Sequence, residues 1–79
     1  MGAPIEEVIE HLVAGIVDSP DDVDVRAKQT RNGELFEVRV NPDDLGTVIG
    51  RGGRTAKALR TVISALADGR RVRVDVADD

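Results

Sequence analysis

Val48-Ile49-Gly50-Arg51-Gly52-Gly53-Arg54 concentrates the chemistry of this chain. Three glycines in four positions open main-chain amides to a ligand, with no Cβ in the way. Arg51 and Arg54 add full positive charge on either side, and Lys57 follows one helical turn later. Gly53 and Arg54 lead into an apolar-periodic segment that reads as a helix, whose N-terminal dipole end would face whatever the turn holds. Exposed amides beside guanidinium groups suit a phosphodiester backbone. The simpler alternative is a helix–helix corner that only needs positive φ. A nucleotide phosphate loop is excluded, because no Gly-Lys-[Ser/Thr] follows at the required spacing. A dinucleotide fingerprint is excluded too, since Thr55 stands where its third glycine belongs.

Other residue types offer less. Arg54, Lys57 and Arg60 are also what a solvated helix face would carry, and of the three Arg60 fits that description best. Arg71 and Arg73 read as outward strand residues, and Arg26 and Arg39 as strand-pairing charge. The carboxylates show no convergent pair, no nucleophile–base arrangement and no metal spacing, so the chain is not expected to be an enzyme. His11 is the one histidine, and there is no cysteine, so neither a zinc site nor a disulfide framework is expected, nor any other cofactor.

The turn needs two helices to hold it, and the periodicity supplies them. Asn41-Pro42-Asp43-Asp44 is a helix start, with a cap, a proline at the first position and acids in the first turn. Leu45, Val48 and Ile49 make that helix's apolar side, and it stops at Gly50. A second helix runs from about Arg54 to Leu66, with Ala56, Leu59, Val62, Ile63 and Leu66 facing inward. Asp68-Gly69 ends it. Val72, Val74 and Val76 then alternate with Arg71, Arg73 and Asp75 as a strand.

The N-terminal half reads as a helix and a hairpin. Pro4 opens a helix to about Val17, with Ile5, Val8, Ile9, Leu12, Val13 and Ile16 in one stripe. Strands follow over 23–30 and 34–40, with Val23, Val25 and Ala27 on the inward side of the first and Phe36, Val38 and Val40 on that of the second. Asn32-Gly33 between them is the strongest short hairpin signal. A two-residue turn there sets Arg31 opposite Glu34, Lys28 opposite Glu37, Ala27 opposite Val38, Val25 opposite Val40, and Arg26 opposite Arg39. The last pair is unfavourable. The order α-β-β-α-α-β leaves a crossover between the second and third strands long enough to make them parallel neighbours. The expected fold is α+β, a three-stranded mixed sheet with three helices on its apolar face.

Seventy-nine residues allow one small domain, taken as 1–79. The net charge of −4 is unevenly spread. Residues 1–25 hold seven acids and no lysine or arginine, whereas residues 51–73 hold seven bases and one acid, a local charge of +6. Over a Debye length of roughly 8 Å, the local patch governs a bound strand. No apolar run approaches a membrane span, and the acidic start does not look like a signal peptide. The expectation is a soluble, cytoplasmic protein with no membrane partner.

The element order and the sequence from Val48 to Arg54 resemble the KH domain, whose mark is an apolar-Ile-Gly-x-x-Gly turn between two helices. The extra helix and strand precede the β-α-α-β core, here about 34–77, which resembles the type II, bacterial arrangement. A stand-alone domain of this length looks most like the KhpA family of small bacterial RNA-binding proteins. That resemblance implies a G-x-x-G loop, Gly50, Arg51, Gly52 and Gly53, that clamps about four nucleotides of single strand by their backbone. It implies Arg54 and Lys57 flanking the strand, and Val48 or Ile49 supporting the groove floor. It further implies single-stranded RNA as ligand, with single-stranded DNA left open. An RNA chaperone or post-transcriptional regulator is implied, acting as a homodimer or beside a KhpB-like KH protein and linked in some bacteria to cell shape. Phe36 is the one aromatic residue and reads as core, so aromatic base stacking is not available. Binding should therefore be led by phosphate and sensitive to salt. The short connection Ala67-Asp68-Gly69-Arg70 implies a small footprint. The competing reading is a protein-interaction module that keeps the fold and docks a partner.

Overall fold

The computed structural model describes residues 4–77. The elements are α1 (Ile5–Ala14), β1 (Asp24–Thr30), β2 (Gly33–Arg39), α2 (Leu45–Ile49), α3 (Arg54–Leu66) and β3 (Val72–Val76). Single turns of 3-10 helix at Pro20–Asp22, Pro42–Asp44 and Arg51–Gly53 join them. The sheet order is β1-β2-β3, antiparallel between β1 and β2 and parallel between β2 and β3. This is the mixed three-stranded sheet expected from the element order, with the helices on one face.

Central strand β2 supplies the middle of the core through Phe36 and Val38. Ile9 and Val13 of α1, Val48 of α2, Leu59 and Ile63 of α3, and Val74 of β3 close over them. Burying each such side chain stabilises the fold by about 1.5–3 kcal/mol relative to exposure. The i, i+4 spacing of Ile9 and Val13, and of Leu59 and Ile63, is what one helix face delivers to a sheet. Three-stranded width limits how much of each apolar stripe can be covered. Leu12 and Ile16 stay exposed, as do Val62 and Leu66 at 45% and 53%, although the periodicity alone had all four facing inward. Ala27 is exposed as well. Helix α1 is shorter than its pattern, ending at Ala14, and Pro4 caps it from outside instead of opening it.

The hairpin register differs from expectation. The turn is Arg31-Asn32, and Gly33 lies within β2 opposite Thr30. Val25 therefore faces Val38, Ala27 faces Phe36, and Arg26 faces Glu37 instead of Arg39. The reason is a contact with β3. Gly33 has φ +129, and a Cβ there would lie 2.2 Å from the Arg71 carbonyl oxygen. Its glycine is required for that close approach, not for the turn. The next amide, Glu34 N, donates to the same Arg71 oxygen at 3.0 Å. Thr30 closes the turn: its hydroxyl donates to the Gly33 carbonyl at 2.8 Å and accepts from Asn32 N at 3.3 Å. The register moves by two residues, so each side chain keeps its face.

Candidate nucleic-acid interface

The helix start expected at Asn41 forms as the single 3-10 turn Pro42–Asp44, and α2 itself begins at Leu45. The Asn41 side chain accepts from Asp43 N at 2.9 Å, with Pro42 behind it. Asp44 is a first-turn acid, as read from sequence, and has a second role. It is buried, and its two oxygens accept from Asp18 N at 3.2 Å and Ser19 N at 3.0 Å. The segment before β1 is thereby tied to the base of α2.

The far end of α2 is the glycine turn. Gly50 has φ +77 and ψ 166, a region open essentially to glycine alone. A Cβ there would lie 2.3 Å from Thr55 Oγ1 and 2.7 Å from Thr55 N, so Gly50 packs directly on the start of α3. Gly52 and Gly53 are both left-handed, at φ +64 and +78. Around these two positions the surface is open, with no heavy atom within 4 Å of a built Cβ. Gly50 N donates to Gly46 O at 2.8 Å, and Gly53 N to Gly50 O at 3.1 Å. The amides of Arg51 and Gly52 have no main-chain acceptor among the described residues. Two adjacent free N–H groups in a tight turn form a concavity suited to an anion.

Basic side chains surround it. Arg51, Arg54 and Lys57 are exposed, and none has a carboxylate partner among the described residues. The apolar pair divides: Val48 is fully buried, while Ile49 is 36% exposed. Ile49 borders a cleft of about 380 Å³ together with Gly53, Ala56, Arg60, Asp75 and Val76. This cleft runs from the turn along α3 to the open edge of β3. Arg60, set apart in the sequence reading as solvated-face charge, is held here, its Nε donating to the Val74 carbonyl at 3.1 Å. That contact joins residues 14 apart, across the α3–β3 connection. Only its helical position could have hinted at it, since Gly53, Ala56 and Arg60 share one stripe.

The other hollows have a different character. One, of about 680 Å³, lies on α1 and is bordered by Glu7, Glu10, His11 and Leu12, which do not suit phosphate. Another, at the hairpin tip, holds Arg70, whose guanidinium is paired with Glu34. Among the described residues, no three His, Cys, Asp or Glu side chains converge as a metal site would require. No described helix is long and apolar enough to cross a membrane.

A parallel β2–β3 pair linked by two helices, with a glycine turn between those helices and a helix and strand ahead of them, is a KH fold in its type II order. The family model described as "KhpA/KhpB, KH domain" matches residues 6–77, and the chain belongs to that family. It is similar to three proteins named "RNA-binding protein KhpA". That of Leifsonia xyli subsp. xyli is 72% identical over 71 residues, covering 90% of this chain and 93% of the relative. That of Streptomyces coelicolor is 64% identical over 74 residues, covering 94% and 92%. That of Mycobacterium tuberculosis is 58% identical over 78 residues, covering 99% and 96%.

Proposed function

We propose that this protein binds single-stranded RNA by its backbone, with Gly50, Arg51, Gly52 and Gly53 as the phosphate clamp and Arg54 and Lys57 as flanking cations. The observation that carries this reading is the pair of free amides, Arg51 N and Gly52 N, among three cations without carboxylate partners. Relatives of high identity bear the name of RNA-binding proteins, which supports the ligand class. Ile49 lies at the mouth of the cleft and contributes floor there. The role that follows is that of an RNA chaperone or post-transcriptional regulator in the cytoplasm, acting without catalysis. One short groove binds weakly, so pairing with a second KH module raises affinity through effective concentration. That second module is another copy or a KhpB-like protein; the exposed Leu12, Ile16, Val62 and Leu66 favour a protein contact as well.

The test is binding of a labelled, mixed-sequence single-stranded RNA across a salt series, with a DNA strand of the same sequence as competitor. The control combines Arg51→Asp with Gly52→Asp, placing two negative charges where phosphate should sit. Gly52 has open space around it, so the strain is limited to its φ, about 1 kcal/mol; circular dichroism checks that the variant folds. Wild type should bind, with affinity falling steeply as salt rises. The folded double variant should lose at least tenfold. Equal binding by both would overturn the clamp and leave protein docking as the better reading.

A further inference from the structure

We infer that the tip of the β1–β2 hairpin carries a second phosphate site, built on Arg31 and Arg71, which holds the same RNA strand beyond the stretch gripped at the glycine turn. The inference rests on the RNA-binding reading above and lengthens its footprint, where the short connection Ala67-Asp68-Gly69-Arg70 implied a small one.

A close approach assembles the site. Gly33 lets the hairpin tip press on the start of β3: a Cβ there would lie 2.2 Å from the Arg71 carbonyl oxygen and 2.7 Å from the Arg71 Cβ. Glu34 N donates to the same oxygen at 3.0 Å and locks the contact. Asn32 and Arg71 thereby border one hollow of about 530 Å³, together with Thr30 and Ser64. Arg31 stands next to Asn32 in the turn.

The charge left over at this hollow is positive. Arg31 and Arg71 are exposed, and neither has a carboxylate partner among the described residues. The Asn32 side-chain amide and the Ser64 hydroxyl have no hydrogen-bond partner among them either. Glu34 is the one carboxylate bordering the hollow, and the Arg70 guanidinium takes up its charge. Arg73 also borders it and is held by Asp75 at 3.2 Å. Two free guanidinium groups, an amide and a hydroxyl remain. All four can donate to phosphate oxygens, and the guanidinium fork does so in two parallel bonds.

The hollow lies in line with the glycine turn. Helix α3 and strand β3 run in opposite senses. Ala56 and Val76 border the cleft at the turn, Arg60 donates to the Val74 carbonyl, and Ser64 and Val72 border the hollow at the tip. Ala56, Arg60 and Ser64 are spaced by four and share one face of the helix. One seam therefore leads from turn to tip, with the Arg60 cation midway and Asp75, paired with Arg73, beside its first half. Helix α3 has 13 residues and is roughly 20 Å long. The clamp covers about four nucleotides, so a tetramer gripped at the turn ends short of the tip, and an octamer reaches it.

The test titrates the protein with a uridine tetramer and a uridine octamer, followed by amide NMR, and measures labelled octamer binding across a salt series. The variant combines Arg31→Gln with Arg71→Gln. Both side chains are exposed and unpaired, and circular dichroism checks that the fold is kept. In wild type the octamer should shift the amides of Asn32, Ser64 and Arg71, and the tetramer should not. The variant should bind the octamer about tenfold more weakly, with a slope of log affinity against log salt lower by about 1.4, for two lost contacts on a single strand. Its tetramer affinity should change less than about twofold, because the turn lies more than a Debye length of roughly 8 Å from the tip. Three results overturn the inference: an octamer that leaves those amides unmoved, a variant that binds the octamer as wild type does, or a variant that weakens tetramer and octamer alike, which marks a general field. The Arg51→Asp/Gly52→Asp variant keeps the two readings apart. Its loss of the tetramer supports the clamp whatever the tip does, and absence of binding of either oligomer by wild type overturns both.

Discussion

Two surfaces of this molecule carry arginine and lysine, and they use the charge in opposite ways. On the open face of the sheet Arg26, Lys28, Arg39 and Arg73 each have a carboxylate within reach. Arg26 lies 3.0 Å from Asp24, Lys28 3.6 Å and Arg39 3.4 Å from Glu37, and Arg73 3.2 Å from Asp75. At the glycine turn, Arg51, Arg54 and Lys57 have no such partner among the described residues. The sheet face is nearly neutral; the turn is a concentrated positive field beside two free amides. The difference teaches that counting basic residues does not locate a phosphate site. Arg73 and Lys57 fall in the same basic stretch of sequence, yet one is neutralised by its strand neighbour and the other is available to a ligand. Exposed ion pairs like those on the sheet add about 0.5 kcal/mol or less each. Their main consequence is to cancel charge.

The largest effect should come from breaking the turn itself. Gly50→Ala meets both a φ of +77 and a Cβ 2.3 Å from Thr55 Oγ1, so α3 must shift or the turn must open. Backbone strain and overpacking together should cost roughly 2–5 kcal/mol. Urea denaturation reads the loss, and RNA binding should fall at least tenfold even where the protein remains folded. Gly53→Ala is the internal comparison: it has a similar φ but open space, and should cost only about 1 kcal/mol. Equal destabilisation by the two would mean that Gly50 is not packed as described.

Much of this contrast was legible in the sequence, and the illegible part has a common cause. The helices and strands were readable because their signals are local: Ile9 and Val13 one turn apart, Phe36 and Val38 alternating, Asn41-Pro42 at a helix start. The glycine turn was readable because its residue types sit together. The hairpin register was not, because Gly33 answers to Arg71 of a strand nearly forty residues later, and the nearby Asn-Gly signal pointed elsewhere. The exposure of Val62 and Leu66 was hidden because periodicity gives a stripe's direction, not the width of the sheet beneath it. The contacts of Asp44 and Arg60 were hidden for the same reason: each reaches main-chain groups of a distant segment, Asp18 and Ser19 in one case and Val74 in the other.

Asp44 offers a way to disturb the turn's support without touching its charge. Replacing it with alanine leaves the amides of Asp18 and Ser19 without their acceptor, at a cost of about 3 kcal/mol. Asparagine keeps one acceptor and sets its amide group against the second N–H, so about half that loss is expected. Thermal unfolding followed by circular dichroism checks both. RNA affinity of the folded fraction should change less than threefold, because Arg51, Arg54 and Lys57 are unaltered. A tenfold loss in stably folded Asp44→Asn would show that binding depends on the position of α2 more than on the charge at its end.

The finest test sets one charge reversal on each surface. Lys57→Glu and Arg73→Glu change the net charge equally, so any difference between them reports position alone. Lys57→Glu should weaken binding of a mixed-sequence RNA about tenfold and reduce the slope of log affinity against log salt by about 0.7, the change for one lost phosphate contact on a single strand. Arg73→Glu replaces a paired cation with a third carboxylate near Glu37 and Asp75, so it should lower stability by about 0.5 kcal/mol through local repulsion. Its RNA affinity should move less than twofold, with the salt slope unchanged, because Arg73 is already neutralised by Asp75 and holds no charge free for phosphate. If Arg73→Glu weakened binding as much as Lys57→Glu, the RNA would be responding to the overall field. The distinction between paired and unpaired cations would then carry no functional weight.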